Sequence, residues 1–284
     1  MHLYIPREKL PKAVVPYPFE KRSKGYQRIP LVDHTTGSVH QAVGICELQP
    51  GGSVDYCLHT NEEGIYIIEG ELELLRDREA FRLSKDDYAL VPYGIPHAYR
   101  NRGQVVARWF EISAPQPKAP GQWEDTFFFD TVWPEEVSKP NAEDPRKQLV
   151  GHFSDETHRA VSGGVGIVTR GLKNYYFMGL PFGTQHFLLM HGTLAPGGFL
   201  GPHDHPVEEW YYGLSGELEF TMEGKVYHLR PGDVTWTGVG AMHYWHNKGD
   251  VTYRWIETHV PEMPTLHGSR NYPYWERLRN LQKG

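Results

Sequence analysis

The chain has 284 residues, of which 39% are hydrophobic and 13% aromatic, and this is enough apolar material for packed cores, so intrinsic disorder is excluded. A net charge of −6 offers no electrostatic ground for nucleic-acid binding. The opening residues, Met1 to Arg7, precede no long apolar run, so neither a signal peptide nor a membrane-spanning segment is expected.

Residues 1–36 come first in the chain and are expected to pack on a folded domain. A repeat follows. Shifting the sequence by 146 positions (205 minus 59) aligns two stretches without gaps, about Gly37 to Pro115 and Gly183 to Pro261. Pro50-Gly51-Gly52 falls on Pro196-Gly197-Gly198, His59 on His205 and Glu63 on Glu209. Gly94, His97 and Asn101 fall on Gly240, His243 and Asn247, and Arg108-Trp109 with Glu111 on Arg254-Trp255 with Glu257. Within each copy, strings such as Glu71-Leu72-Glu73-Leu74 and Glu217-Leu218-Glu219-Phe220 alternate polar and apolar, as half-buried strands do. Pro50-Gly51-Gly52, Pro231-Gly232-Asp233 and Gly238-Val239-Gly240 read as turns. Many short strands between closely spaced turns predict an all-β fold, a sandwich or a barrel, in each copy. Short helices are expected only near Pro134–Val137 and Tyr274–Leu278. The predicted organisation is residues 1–130 as a first domain, 131–182 as an inter-repeat segment and 183–284 as a second domain. Trp123, Phe127-Phe128-Phe129 and Trp133 predict that the stretch between the repeats packs on a domain. Only Cys46 and Cys57 carry thiols, too few for a disulfide framework, so a reducing, cytoplasmic setting is the expectation.

The second repeat contains Gly197-x5-His203-x-His205-x3-Glu209-x6-Gly216 and then Gly232-x5-Gly238-x-Gly240-x2-His243-x3-Asn247. Residues two apart on a strand point to one face, so His203 and His205 aim together. Glu209 returns on the next strand and His243 arrives from a separate hairpin. Imidazoles suit first-row transition metals and a carboxylate favours the harder ions among them, so His203, His205, Glu209 and His243 are the predicted ligands of one divalent ion, which Fe, Mn, Ni and Zn all fit. The first repeat keeps this frame with Cys57, His59, Glu63 and His97. There Cys57 stands in place of the first histidine, and two readings remain open: a second, thiolate-containing metal site, or a vestigial site in which Cys57 is a small buried hydrophobe.

These motifs resemble the two signatures of the cupin superfamily, over both repeats and somewhat more than half the chain, so the chain resembles a bicupin. One position departs from the pattern: Gly238 stands where a proline is usual, in a turn and not at a ligand. The resemblance implies two tandem jelly-roll β-barrels with a metal held by His203, His205, Glu209 and His243.

Strand alternation puts Tyr211 on the face of Glu209 and Trp245 on the face of His243, either as pocket walls or as core. His191, whose repeat partner is Ile45, is a candidate proton shuttle or substrate contact. His191, Tyr211 and Trp245 are therefore the candidate catalytic residues. His186, whose repeat partner is His40, is expected to be structural. Asp204 and Glu208 alternate away from the ligands and are expected at solvent or a rim, and Arg254 and Arg108 are expected to pair with Glu257 and Glu111. The resemblance implies a dioxygenase-like oxidoreductase acting on a small phenol, enol or diketone. The alternatives are a redox-neutral hydrolase, isomerase or decarboxylase, similar to ureidoglycine aminohydrolase, and a non-catalytic metal-dependent binder. The partners expected are a small-molecule substrate and a second copy of the chain, with no nucleic acid and no membrane.

Overall fold

The computed structural model describes residues 1–121, 124–130, 133–140, 149–161 and 168–262, and the backbone of 270–271. Trp123 and the helix expected at 274–278 lie outside the described residues. The fold is all-β, built as two barrel-like sheets. Helix among the described residues is confined to the two 3-10 turns Arg7–Lys9 and Tyr17–Phe19.

The unit built on the second repeat comprises residues 1–9, 159–176 and 189–284. Its sheet runs, neighbour by neighbour, through His2–Ile5, Val234–Thr237, Glu208–Ser215, Tyr253–Val260, Leu188–Asp204, His243–His246, Leu218–Met222 and Lys225–Leu229. The unit built on the first repeat comprises residues 10–158 and 177–188. Its sheet has the same order: Val150–His152, Asp87–Val91, Glu62–Glu69, Ala107–Ala114, Ala42–His59, His97–Arg100, Glu71–Arg76 and Glu79–Ser84. The duplication in the sequence is thus a duplication of topology. In each unit an edge strand from outside the repeat completes the sheet: His2–Ile5 pairs with Val234–Thr237, and Val150–His152 with Asp87–Val91.

Pro50-Gly51-Gly52, expected to be a turn, and its repeat partner Pro196-Gly197-Gly198 each lie inside one long strand, Ala42–His59 or Leu188–Asp204. It forms an irregularity there that the neighbouring strand fills. Asn247 exchanges backbone hydrogen bonds with Gly197 and Gly198, and its side-chain amide donates to the carbonyls of Leu194 and Val251 at 2.8 Å. Asn101 repeats this at Leu48 and Val105. A Cβ on Gly198 would stand 2.7 Å from the Ala195 carbonyl and 2.8 Å from that of Arg170, so only glycine fits. The bend keeps one strand in the sheet while turning its final residues, His203 and Asp204, toward the end where His243 enters.

The core of the second-repeat unit is the inward face of these strands, with Leu194, Leu218, Phe220, Trp245 and Trp255 among its members. The first-repeat unit buries Leu48, Ile65, Leu74, Phe81 and Trp109 in the same way. The helix expected at Pro134–Val137 is absent; the segment is extended and bridges to Phe81 through Ser138. There Trp133 and Val137 pack on Leu75, Ala80 and Ala98, and Trp133 lies under the Arg100 guanidinium at 3.8 Å. Packing of this aromatic stretch, rather than helix propensity, decides its conformation.

Candidate metal centre

In the second-repeat unit His203 is the next-to-last residue of the long strand and sits opposite His243, the first residue of its own strand. His205 follows after one residue, and Glu209 is the second residue of the next strand. Ring nitrogens of His203, His205 and His243 all lie within 4.8 Å of one another, and the three residues are buried. Each ring is held from behind. Nδ1 of His203 meets the Gly201 carbonyl at 2.8 Å, Nδ1 of His205 that of Val207 at 3.0 Å, and Nδ1 of His243 that of Ala241 at 2.9 Å. A carbonyl only accepts, so Nδ1 carries a proton in every ring and Nε2 is the nitrogen left to the centre. Burial, followed by the neighbouring His243, holds the His203 pKa down to about 3, so this ring stays neutral.

Glu209 closes the group. Its Oε2 lies 2.7 Å from Nε2 of His205 and 3.1 Å from Nε2 of His243, and it accepts the Tyr211 hydroxyl. Although burial opposes ionisation, the adjoining His205 and His259 hold the Glu209 carboxyl well below the usual range. Nε2 of His205 is buried without a hydrogen-bond partner and faces the Glu209 carboxylate at 2.7 Å. An orphaned, preoriented ring nitrogen beside a carboxylate and two further imidazoles is the donor set a divalent metal ion satisfies. By that test the residues fit the ion.

The first-repeat unit builds a looser version. Cys57, His59 and His97 come within 4.8 Å of one another through their ligand atoms. Glu63 lies 3.1 Å from His59 and 3.2 Å from His97, and accepts the Tyr99 hydroxyl at 3.1 Å. His97 Nδ1 donates to the Ile95 carbonyl at 3.2 Å, but His59 Nδ1 meets the Thr126 hydroxyl at 3.0 Å in place of a carbonyl. Burial pushes the Cys57 thiol up, so thiolate formation there needs a counter-charge.

The tyrosine on each carboxylate comes from a different strand. Tyr211 aligns with Ile65, and Tyr99 aligns with Trp245. Of the three candidate catalytic residues, Tyr211 therefore meets the ligands directly, also at 3.3 Å from His243 Nε2. Trp245 stands in the core, edge-on to Tyr211, Phe220 and Trp255. His191 is buried with its ring 6.2 Å from that of Tyr175. Trp236 pairs with Trp210, one position out of phase with Glu209 and Thr237, so it takes the opposite face of the sheet from the ligands.

Two further expectations are corrected. Asp204 and Glu208 are buried, at 1% and 2% exposure, and stand neither at solvent nor at a rim. In the other unit Glu62, the repeat partner of Glu208, is likewise buried and accepts the backbone amides of Gln185 and His186. His186 adds a contact to Glu62 through Nδ1 at 3.1 Å, a structural role. Arg108 pairs with Glu47 at 2.7 Å instead of with Glu111, since residues three apart on a strand face opposite ways. Glu111 is met by Arg28 at 3.2 Å, and Glu257 by His259 at 2.6 Å. His259 was not among the sequence candidates. Its signal is its spacing, two residues past Glu257 and therefore on the same face, together with Ser113 at its place in the first repeat.

Comparison with known proteins agrees with this architecture. The family pattern described as Cupin domain matches residues 44–113 and again 190–259. The polyketide synthase protein CurC of Streptomyces cyaneus is 34% identical over 36% of this chain and 66% of its own length. The tetracenomycin polyketide synthase protein TcmJ of Streptomyces glaucescens is 37% identical over 34% of this chain and 68% of its own. Quercetin 2,3-dioxygenase of Bacillus subtilis is 34% identical over 34% of this chain and 29% of its own. The chain thus spans about two thirds of the first two relatives and under a third of the last. The solved oxalate decarboxylase of Lactobacillus farciminis, in a formate complex, matches 99% of this chain and 92% of its own with a TM-score of 0.67 at 14% identity, a likeness of fold. The chain belongs to the cupin superfamily, as a bicupin with two cupin domains in tandem.

Proposed function

We propose that the protein is a mononuclear metal-dependent enzyme of dioxygenase type, whose substrate is a small organic molecule presenting phenol, enol or diketone oxygens. The observation that carries this reading is the set of three buried imidazoles, each fixed through Nδ1 on a backbone carbonyl and grouped within 4.8 Å, with Nε2 of His205 and of His243 beside Glu209. His203, His205, Glu209 and His243 would hold the ion. A bound divalent metal supplies a template for substrate oxygens and, if it is redox-active, a route for electrons.

The chain's own groups set the conditions around it. Burial and the neighbouring Glu209 keep the Tyr211 phenol protonated, so its proton stays on the line to Glu209 Oε2 and fixes that oxygen's direction. Buried walls of Phe220 and Trp245 beside Tyr211 exclude water from one side of the ligand cluster. The names of similar proteins support an oxygen-rich organic substrate, since two are polyketide synthase proteins and one is a quercetin 2,3-dioxygenase. The group of Cys57, His59, Glu63 and His97 is the weaker candidate, because a buried thiol must lose its proton on binding a metal.

Oxygen uptake tests the reading. Iron-loaded protein is expected to consume O₂ with at least one member of a phenol, enol and diketone panel, and His205→Ala to lower that rate at least 100-fold. Turnover without O₂ consumption would instead assign a redox-neutral reaction, such as hydrolysis, isomerisation or decarboxylation. No turnover together with tight metal-dependent ligand binding would assign a binder.

A further inference from the structure

The carboxylate of Glu209 has a second face. In cross-strand register Glu209 stands opposite His259, and Tyr211 opposite Glu257. Side chains directly opposite on one face are near neighbours, so the four meet inside the barrel. Oε2 of Glu209 faces His205, His243 and Tyr211, whereas Oε1 is turned the other way and lies 2.9 Å from His259 Nε2. The same Nε2 lies 2.6 Å from Glu257 Oε1, and Trp255 donates its indole N–H to Glu257 Oε2 at 2.7 Å. The His259 ring also stacks on that of His205, with centroids 5.9 Å apart and planes 19° apart. Its Nδ1 is buried without a partner, so every polar contact of the ring runs through Nε2.

The first-repeat unit lacks this arrangement. Ser113 stands opposite Glu63, and Glu111 is occupied by Arg28, Cys46 and Trp109. Both oxygens of Glu63 then turn to the ligand side, Oε1 to His59 and Oε2 to His97 and Tyr99.

We propose that His259, itself oriented by Glu257 and Trp255, is a positioning residue that draws Oε1 of Glu209 away from the metal and leaves Oε2 as its single donor. The exchange of serine for histidine at this one position separates a carboxylate held from both sides from one whose two oxygens both face the ligand rings. A preoriented one-point ligand binds more tightly than a mobile one, and partners behind a ligand are worth about 10–100-fold in metal affinity. The inference rests on metal binding by the second-repeat group, and the test separates the two.

Mn(II) would be titrated into the full-length protein and followed by electron paramagnetic resonance, in a His59→Ala background so that one site is read. His259→Leu is expected to bind about 10–100-fold more weakly, with an altered bound-Mn(II) spectrum. His259→Gln, which keeps an N–H donor facing Glu209, is expected to stay within about 3-fold of the parent, and His259→Asn, one methylene shorter, to weaken at least 10-fold. Equal affinity and identical spectra for the parent and His259→Leu would overturn the proposal. Should the leucine variant not fold, equal affinity of the glutamine and asparagine variants would overturn it instead. A parent protein that binds no Mn(II) would remove the metal reading and this inference together, and is recognised by its own silent titration.

Discussion

At the scale of single residues, the arrangement depends on what each buried polar group is given to hold. His203, His205 and His243 each spend Nδ1 on a carbonyl two residues away in sequence. This short-range contact fixes ring tautomer and aim before any metal arrives. The grouping of these histidines was legible in the sequence because spacing on strands is rigid: His203 and His205 had to share a face. His259 was not legible, because its meaning lies in strand register, which sets it opposite Glu209, and register depends on the bulges and turns of the whole sheet. Away from the centre, Glu73 illustrates a buried carboxylate with cationic partners. It accepts from Arg82 at 2.9 Å and from Arg100. Burial opposes its ionisation, but these guanidinium hydrogen bonds prevail and hold its pKa below the ordinary value. A depressed folded pKa gives stability that is present above the unfolded value of about 4.3 and is lost as pH falls through the folded one. Glu73→Gln is therefore expected to lower the melting temperature by about 2–6 °C at pH 7, with a gap that closes as the pH drops below about 4. Thermal scans across pH 3–8 check this. A gap as wide at pH 3 as at pH 7 would contradict the assignment.

Among the elements, the edge strands were the least legible. The repeats announced themselves through 2-residue alternation and recurrent glycines. Nothing local marks His2–Ile5 as a partner of Val234–Thr237, more than two hundred residues later. That pairing is anchored by Asp233, which is 1% exposed. It accepts the backbone amides of Arg7 and Arg230 at 2.8 and 2.9 Å and the Tyr4 hydroxyl at 3.2 Å. Removing residues 1–9 would strip two of these donors from a buried carboxylate and bare a strand edge. The truncated chain is expected to melt at least about 5 °C lower and to self-associate through the open edge. Differential scanning calorimetry and light scattering read both effects, and an unchanged melting temperature would show that the strand is dispensable. Pro50-Gly51-Gly52 was misread for a related reason. Its local chemistry favours a turn, but Asn101, like Asn247 in the second repeat, supplies partners from the neighbouring strand that keep the backbone in the sheet.

For the molecule as a whole, duplication preserved the scaffold and let the two centres diverge. Strand order is the same in both sheets, and each glutamate still accepts a tyrosine hydroxyl, although from a different strand in each copy. What changed are the groups that set ligand chemistry: Cys57 for His203, and Ser113 with Arg28 where the second unit has His259 beside Glu257. The account makes the second-repeat group the working metal centre and the first-repeat group the weaker one. The most direct test is metal content per chain in anaerobically purified protein, measured for the parent, His205→Ala and Cys57→Ser. The account predicts about one equivalent in the parent, under one tenth of that in His205→Ala, and nearly the full equivalent in Cys57→Ser. Stoichiometric metal retained in His205→Ala, or its loss in Cys57→Ser alone, would contradict it.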